Sequence, residues 1–250
     1  MLKTTAKRIN GAQAMMNTLS PIVKPGQSSW SLIWYENGEL ATGEYDYIIA
    51  GWTVAPALNR YHDYKTRFIT YWSTISNHQV RGGCYNVLCP GFVQVDSNYP
   101  LDQVFSNISV YNGPQFFAQV AIFQDPVTNN IWLTLNSRAI GYWPSAILPH
   151  LVGGANYVAW GGLAIASSDG ISPPMGFGVI PYAWDYKHAG IFKYVQVFDT
   201  DHQWTVPYGN WDKYEDNSKC YSVFLGYLTQ GNADEGWPFT YGGPGGECGV

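Results

Sequence analysis

Short apolar runs, separated by glycine, proline, asparagine and aspartate, follow one another from residue 30 to the end of the chain. Runs of this length that are rich in β-branched and aromatic residues are typical of β-strands. The pattern predicts strands in SWSLIWYENGELATGEYDYIIAGWTV, RFITYWSTI, GFVQVD, FFAQVAIFQD, NIWLTLNS, YVAWGGLAIAS, GIFKYVQVFD and YSVFLGYL. Asn37-Gly38, inside the first segment, predicts the turn of a hairpin.

Helical character is confined to WPSAILPHL, where Pro144 suits a first helical turn. Residues 1–29 mix small and polar side chains and end near the turn signal KPGQSS, so we expect a short leading helix or a loosely held arm there. Residues 30–250 contain no repeat, low-complexity tract or linker. They predict a single all-β domain, a β-sandwich or a barrel.

The composition argues against several classes of protein. Charged residues make up only 12% of the chain and aromatic residues 16%, which is atypical of disordered proteins. The net charge of −5 and the lack of any basic run argue against binding of nucleic acid. No apolar run reaches 18 residues, so no membrane span is expected. The opening MLKTTAKRINGAQAMM lacks the apolar stretch of a secretory signal.

Four cysteines bear on the compartment. Their spacing is unlike that of zinc sites, and the simplest interpretation is two disulfides, Cys84–Cys89 and Cys220–Cys248. Disulfides indicate an oxidising, extracellular destination. The alternative is four buried free thiols in a cytosolic protein.

Most catalytic motifs are missing from the sequence. The five histidines are scattered, and no GxSxG elbow or phosphate-binding glycine loop is present. We therefore expect no metal and no cofactor. Carboxylates remain as candidates, but they are spread through turns, and most acidic residues in proteins are solvated surface charges.

Seven segments point to one family. They occur in this order: AGWTVAP (50–56), TRFITYW (66–72), GGCYNVLCPGFVQV (82–95), IGYWPSAIL (140–148), GANYVAWGG (154–162), SPPMGFG (172–178) and YGGPGGEC (241–248). Together they closely resemble the neprosin family over roughly residues 45–250. The resemblance implies a β-sandwich of two large antiparallel sheets and a secreted glutamic endopeptidase. Such an enzyme cuts after proline at acid pH with two glutamates and no metal. The family's disulfide positions agree with the pairing above.

The catalytic glutamates of the family do not carry over. One follows the glycine pair of WGGE, where this chain has Leu163; the other precedes AGW, where this chain has Ile49. Glu44, Asp46 and Asp169 are the candidates for shifted carboxylates. Successive side chains of a strand point to opposite faces, so Glu44 and Asp46 are expected to point away from Ile49.

Three functions follow as hypotheses. The first is an inactive domain that binds a peptide, a proline-rich segment or a carbohydrate in the old cleft, beside the aromatic residues Trp52, Tyr71, Trp72, Trp143 and Trp160. Core packing is the alternative role for each of these five residues. The resemblance implies a secretory signal and an N-terminal activation segment. An opening that shows neither is what we expect of a defence or insecticidal-type toxin. The second hypothesis is an active acid peptidase with shifted carboxylates, and the third is a pore-forming or other toxin module. The sequence does not indicate the oligomeric state.

Overall fold

The computed structural model of the protein describes residues 1–182, 186–207, 212–225 and 236–249. The strands in these ranges are, in chain order, β1 Leu2–Ile9, β2 Gly11–Asn17, β3 Ser28–Glu39, β4 Glu44–Val54, β5 Arg67–Ser76, β6 Gln79–Tyr85, β7 Val93–Gln94, β8 Phe117–Gln124, β9 Ile131–Leu135, β10 Arg138–Trp143, β11 Ala155–Ile165, β12 Ile171–Ser172, β13 Gly190–Phe198, β14 Trp204–Thr205, β15 Asp212–Lys213, β16 Ser222–Phe224, β17 Phe239–Gly242 and β18 Gly246–Glu247. The described residues contain no α-helix; short 3-10 helices cover Leu40–Thr42, Ser145–Ile147 and Pro149–Gly153.

The strands form two large antiparallel sheets. One has seven strands in the order β15-β1-β11-β3-β4-β5-β6. The other has nine, in the order β16-β17-β13-β2-β8-β9-β10-β7, with β14 paired to β13. Strands β12 and β18 form a separate ribbon. This arrangement confirms the predicted all-β sandwich.

The main core lies between the two sheets. We call the side of the seven-stranded sheet that faces the other sheet the inner face, and the opposite side the outer face. Inner-face residues such as Ile33, Ile48 and Phe68 pack with Met16 and Val120 of the nine-stranded sheet. A second, smaller apolar cluster lies on the outer face, built around Trp30, Leu32, Ile49, Ala55 and Ile69.

The leading segment is not an arm or a helix, which corrects the expectation for residues 1–29. Strand β1 pairs with β11 and β15, and β2 lies between β13 and β8 inside the nine-stranded sheet. Ala12, Ala14 and Met16 are buried at every second position of β2. This alternation is the ordinary pattern of a strand, but small side chains such as alanine make its hydrophobic periodicity hard to detect in the sequence.

The first hairpin turns later than Asn37-Gly38 predicts. Both residues lie within β3, where Asn37 pairs with Asp46, and the turn follows at Leu40–Thr42 and Gly43. The Asn37 amide donates hydrogen bonds of 2.7 Å to the carbonyls of His150 and Gly154. Asn37 therefore anchors a neighbouring loop instead of making the turn.

The other predicted elements are present, but several are shorter than the sequence predicts. The segment GFVQVD contributes only the two-residue strand β7, and YSVFLGYL contributes β16, with residues 226–228 outside the described ranges. WPSAILPHL forms the two short 3-10 helices Ser145–Ile147 and Pro149–Gly153. The element predicted as helical is thus helical only in single turns.

Candidate functional site

Ile49 and Leu163 lie on one face of the seven-stranded sheet; they are the positions at which the sequence resemblance would place glutamates. Ile49 of β4 pairs with Trp34 of β3, and Leu163 of β11 pairs with Trp30 of the same strand. Both border the outer-face cluster. Four residues separate the two partners along β3, an offset of about 13 Å in an extended strand. The fold thus brings both positions to a single surface, on opposite sides of one row of residues.

That intervening row forms the floor of a groove across the sheet. In register order it contains Gly161, Leu32, Gly51 and Ile69. Two glycines without side chains lower the row relative to its neighbours. The groove is nevertheless filled, because Leu32 is 0% exposed and Trp30, on one flank, is 1% exposed. Buried apolar side chains therefore fill the surface between Ile49 and Leu163.

A line of tyrosines borders the filled groove. Ring centroids are 5.5 Å apart for Tyr45 and Tyr47, 5.6 Å for Tyr47 and Tyr71, and 4.5 Å for Tyr71 and Tyr85. We call these four residues the tyrosine shelf. All four are partly exposed, and burial raises the pKa of the Tyr47 and Tyr85 hydroxyls. The shelf therefore presents aromatic surface, and the hydroxyls of Tyr47 and Tyr85 stay protonated.

One acid lies at the edge of the shelf, and the sequence analysis did not single it out. Glu36 of β3 pairs with Tyr47 on one side and Tyr157 on the other, and it accepts a hydrogen bond from the Tyr45 hydroxyl. Burial raises the pKa of the Glu36 carboxyl, and the hydrogen bond from Tyr45 opposes that rise. Its signal in the sequence was the alternation of β3, which puts Glu36 in phase with Trp30 and Trp34.

The three predicted substitutes lie elsewhere. The register of β3 and β4 is unbroken, so no bulge turns Glu44 or Asp46 toward Ile49. Asp46 is fully buried and its Oδ2 accepts a 2.8 Å hydrogen bond from the His150 amide; Glu44 lies 3.1 Å from the His150 ring. Burial raises the pKa of Asp46. Both acids hold the loop that contains His150.

Asp169 also has a local structural role. It accepts hydrogen bonds from the Ser167 hydroxyl at 2.6 Å and the Ile171 amide at 3.1 Å. These bonds, that of Ser167 foremost, lower the pKa of Asp169. Since both bonds stay within one turn, Asp169 shapes the connection between β11 and β12.

Two acids distant in sequence do approach Leu163. Glu215 and Asp216 line a cavity of about 280 Å³ that Leu163 also borders. Burial acts to raise the pKa of Glu215, but hydrogen bonds from Lys213, Ser222 and the Val223 amide lower it overall. Glu215 is therefore an ionised carboxylate already engaged by neighbours, and Ile49 does not border this cavity.

The structure assigns the tryptophans to the core and not to a cleft. Trp52, Trp143 and Trp160 are 0% exposed, and Trp72 is nearly as buried. All four belong to the cluster between the sheets. This corrects the expectation that they border the cleft: Trp52 and Trp160 point to the opposite face of their strands from Ile49 and Leu163. Trp72 pairs with the inner-face residue Ile48, and Trp143 lies in the nine-stranded sheet. Of the five aromatic candidates, Tyr71 alone lies on the outer face.

The cysteines pair as predicted, Cys84 with Cys89 and Cys220 with Cys248. The shorter bridge closes the end of β6 next to Tyr85 of the shelf. Within the described ranges, no group of three or more histidine, cysteine or acidic side chains is arranged to hold a metal ion. No helix there is long and apolar enough to cross a membrane.

Comparison with known proteins gives the family. Among solved structures, sheep galectin-11 in complex with glycerol aligns at a TM-score of 0.32 and 10% identity, covering 67% of this chain and 93% of the galectin. A likeness of that size carries no argument. The sequence model of the Neprosin family matches residues 25–244, most of the chain. Together with the colinear motifs, the two-sheet fold and both disulfides, this match shows that the chain belongs to the neprosin family.

Proposed function

We propose that this domain has lost peptidase chemistry and binds an extended, proline-containing peptide along the tyrosine shelf. The observation that carries the proposal is the pair Ile49 and Leu163. Both stand where the resemblance places glutamates, and both pack into the outer-face cluster. Ile49 is only 8% exposed.

Hydrolysis of a peptide bond by two carboxylates needs one to activate water and one to donate a proton. Each such group typically contributes about 10²–10⁴ in rate. Isoleucine and leucine supply neither function. On the outer face of β3, β4, β5 and β11, alternation leaves Glu36 as the one acid, and it is tied to Tyr45. A single carboxyl beside a filled groove does not replace the pair.

The shelf favours a peptide with proline. Proline rings pack on aromatic faces, and the extended polyproline conformation leaves its carbonyls free to accept hydrogen bonds. Tyr47, Tyr71 and Tyr85 offer aromatic rings and hydroxyl groups on adjacent strands. A carbohydrate is the competing ligand class, because sugar faces also stack on aromatic rings. The two disulfides fit an extracellular site of action; a role as a toxin stays a prediction.

The test combines cleavage and binding. The unmodified protein, the Ile49→Glu/Leu163→Glu variant and a matched Ile49→Gln/Leu163→Gln control are incubated with a fluorogenic proline peptide from about pH 3 to about pH 7. We expect no cleavage by the unmodified protein or the glutamine control. The same proline peptide, labelled and titrated in an anisotropy assay, should bind the unmodified protein and lose affinity in a Tyr47→Ala/Tyr71→Ala variant.

Cleavage by the unmodified protein would overturn the proposal. A Glu215→Gln variant then shows whether the acid near Leu163 is responsible. Equal affinity of the peptide for the unmodified protein and the shelf variant would remove the shelf as the binding surface. Displacement by a neutral oligosaccharide but not by unlabelled proline peptide would favour the carbohydrate.

A further inference from the structure

A cavity of about 580 Å³ opens at the end of the outer face, beyond the tyrosine shelf. It lies between the loop that joins β4 to β5 and residues 100–104, which bond to Phe68 of β5 through the Asp102 amide and the Gln103 carbonyl, both at 2.9 Å. Leu58 belongs to both the cavity and the outer-face cluster. The volume of the cavity falls in the range of about 300–1,000 Å³ that is common for ligand pockets.

The loop that forms one wall is held by a buried amide. The Asn59 side chain donates to the Ala55 and Asp63 carbonyls at 3.2 and 2.9 Å. Its Oδ1 accepts from the Tyr61 and Asp63 amides at 3.1 and 3.2 Å. Because these four bonds fix both ends of residues 59–63, the loop presents its side chains to the cavity in a set arrangement.

An ion pair between the buried Arg67 and the partly exposed Asp63 forms the base of the cavity. Arg67 donates from Nε and Nη2 to the two carboxylate oxygens of Asp63, at 3.2 and 2.7 Å, and from Nη1 to the Asp102 carbonyl at 2.6 Å. The hydrogen bond from Arg67 lowers the pKa of Asp63. This pair is neutral and fully engaged, so it orders the wall without attracting a ligand of either charge.

Two further cations reach the same space. Arg60 and Lys65 line the cavity and are exposed, and in the described part of the chain neither forms an ion pair with a carboxylate. The Arg60 guanidinium lies over the Tyr61 ring, 4.6 Å from its centroid, which restrains it. The opposing charge is Asp102, whose pKa is raised by burial. The lining thus has three cations, Arg60, Lys65 and Arg67, and two carboxylates, Asp63 and Asp102, a formal charge of +1 in a protein of net charge −5.

The rim of the cavity is aliphatic. Val87, Leu88 and Val104 are exposed by 50%, 72% and 41% of their surfaces. Exposed aliphatic residues beside Arg60, which donates to the Tyr61 hydroxyl, and Lys65 suit a ligand that alternates acidic and apolar groups. Sugar acids fit less well, because sugars stack on open aromatic faces and the Tyr61 ring already contacts Arg60 and Arg67.

We infer that this cavity binds an acidic peptide segment, with carboxylates on Arg60 and Lys65 and a neighbouring aliphatic side chain against Leu88. A guanidinium and an ammonium are the usual partners of carboxylates, through charge-assisted hydrogen bonds. The site is separate from the tyrosine shelf and does not depend on whether the shelf binds proline.

The probe is a fluorescein-labelled octapeptide of alternating glutamate and leucine, with a counterpart in which glutamine replaces each glutamate. At pH 7 and low salt, anisotropy should give at least about tenfold tighter binding of the glutamate peptide. An Arg60→Gln/Lys65→Gln variant should remove that difference. Both side chains are exposed, so the variant is expected to fold; a Lys3→Gln/Lys24→Gln variant, which removes two cations outside the cavity, should keep the difference.

Equal binding of the two peptides, no binding of the glutamate peptide at millimolar concentration, or an unchanged difference in the Arg60→Gln/Lys65→Gln variant each overturns the inference. So does displacement of the probe by polygalacturonate at lower charge concentration than by unlabelled glutamate peptide, which would assign the cavity to acidic sugars. A Leu88→Ser variant should weaken the glutamate peptide and its glutamine counterpart alike, since the rim contact does not depend on charge.

Discussion

Both faces of the seven-stranded sheet are apolar, but they differ in what covers their buried side chains. On the inner face the indoles of Trp52 and Trp160 donate to the carbonyls of Asn17 and Gln13, at 2.9 and 3.2 Å, so their polar atoms are satisfied inside the core. On the outer face the buried layer around Leu32 packs against the partly exposed tyrosines Tyr47, Tyr71 and Tyr85. Burial on the inner face serves the fold, whereas burial on the outer face supports a surface that ligands can reach.

The same comparison explains how a family motif divides. Within AGWTVAP, Trp52 points inward and Gly51 outward, because successive residues of a strand alternate. A motif that is contiguous in sequence is therefore split between core and site. Trp52 and Trp160, near Ile49 and Leu163 in sequence, therefore belong to the core between the sheets and not to the outer face.

The largest effect that separates the faces is expected from Trp52→Ala. It empties a fully buried indole site and leaves the Asn17 carbonyl without its donor. Such substitutions cost about 3–5 kcal/mol of unfolding free energy. The matched outer-face change Trp34→Ala removes a partly exposed indole and should cost about 1–2 kcal/mol. Urea unfolding measures both; equal costs would mean that the outer layer is as much a structural core as the inner one.

Most strands were predictable from the sequence, because alternation and breakers are local signals. The turn at Asn37-Gly38 was misplaced because Asn37 is used by a contact with His150 and Gly154, more than a hundred residues away. Strand β2 was missed because alanine at alternate positions gives a weak apolar signal.

The site was harder to predict than the fold. The family resemblance singled out Ile49 and Leu163. The periodicity of each strand does not show that the two residues share a face of the sheet, two strands apart. Glu36 lay in phase with Trp34 and was visible to the alternation rule. The approach of Glu215 to Leu163, and of residues 100–104 to the β4–β5 loop, depends on long connections that periodicity does not encode.

A second prediction uses single acids to compare the two ends of the groove. Ile49→Glu places a carboxyl at a buried position, where burial raises its pKa above that of the unfolded chain. The folded state then binds the proton more tightly, so the part of the stability loss that comes from the buried charge is absent below about pH 4 and grows as the pH rises. At pH 7 we expect a loss of about 2–3 kcal/mol.

Leu163→Glu should lose less, about 1 kcal/mol, because Leu163 is half-buried and borders a cavity, although the nearby Glu215 carboxylate acts in the opposite direction. Denaturant unfolding of both variants at about pH 4 and pH 7 measures the difference. Equal losses at both pH values would show that the cost comes from shape and not from a buried charge. That outcome would mean that a carboxylate in the outer-face cluster is as well solvated as one in the unfolded chain.

The smallest effect concerns Glu36, the acid that the outer face retains. Burial raises the pKa of its carboxyl in the folded state, with the Tyr45 hydrogen bond opposing the rise. A raised carboxyl pKa means that the protonated form suits the fold. Its contribution is present below the unfolded pKa of about 4.3 and is lost as pH rises through the folded pKa. Glu36→Gln removes this titration while keeping an oxygen that accepts from Tyr45.

We therefore expect Glu36→Gln to match the parent in stability at low pH and to exceed it slightly at pH 7, so that its stability declines less with pH. Glu39→Gln is the matched control, since Glu39 is exposed at the end of the same strand; that variant should follow the parent curve. If Glu36→Gln is less stable than the parent at pH 7, the ionised carboxylate is favoured by the tyrosines around it. Glu36 would then be a preformed anionic contact of the shelf, and the outer face would recognise cationic groups as well as proline rings.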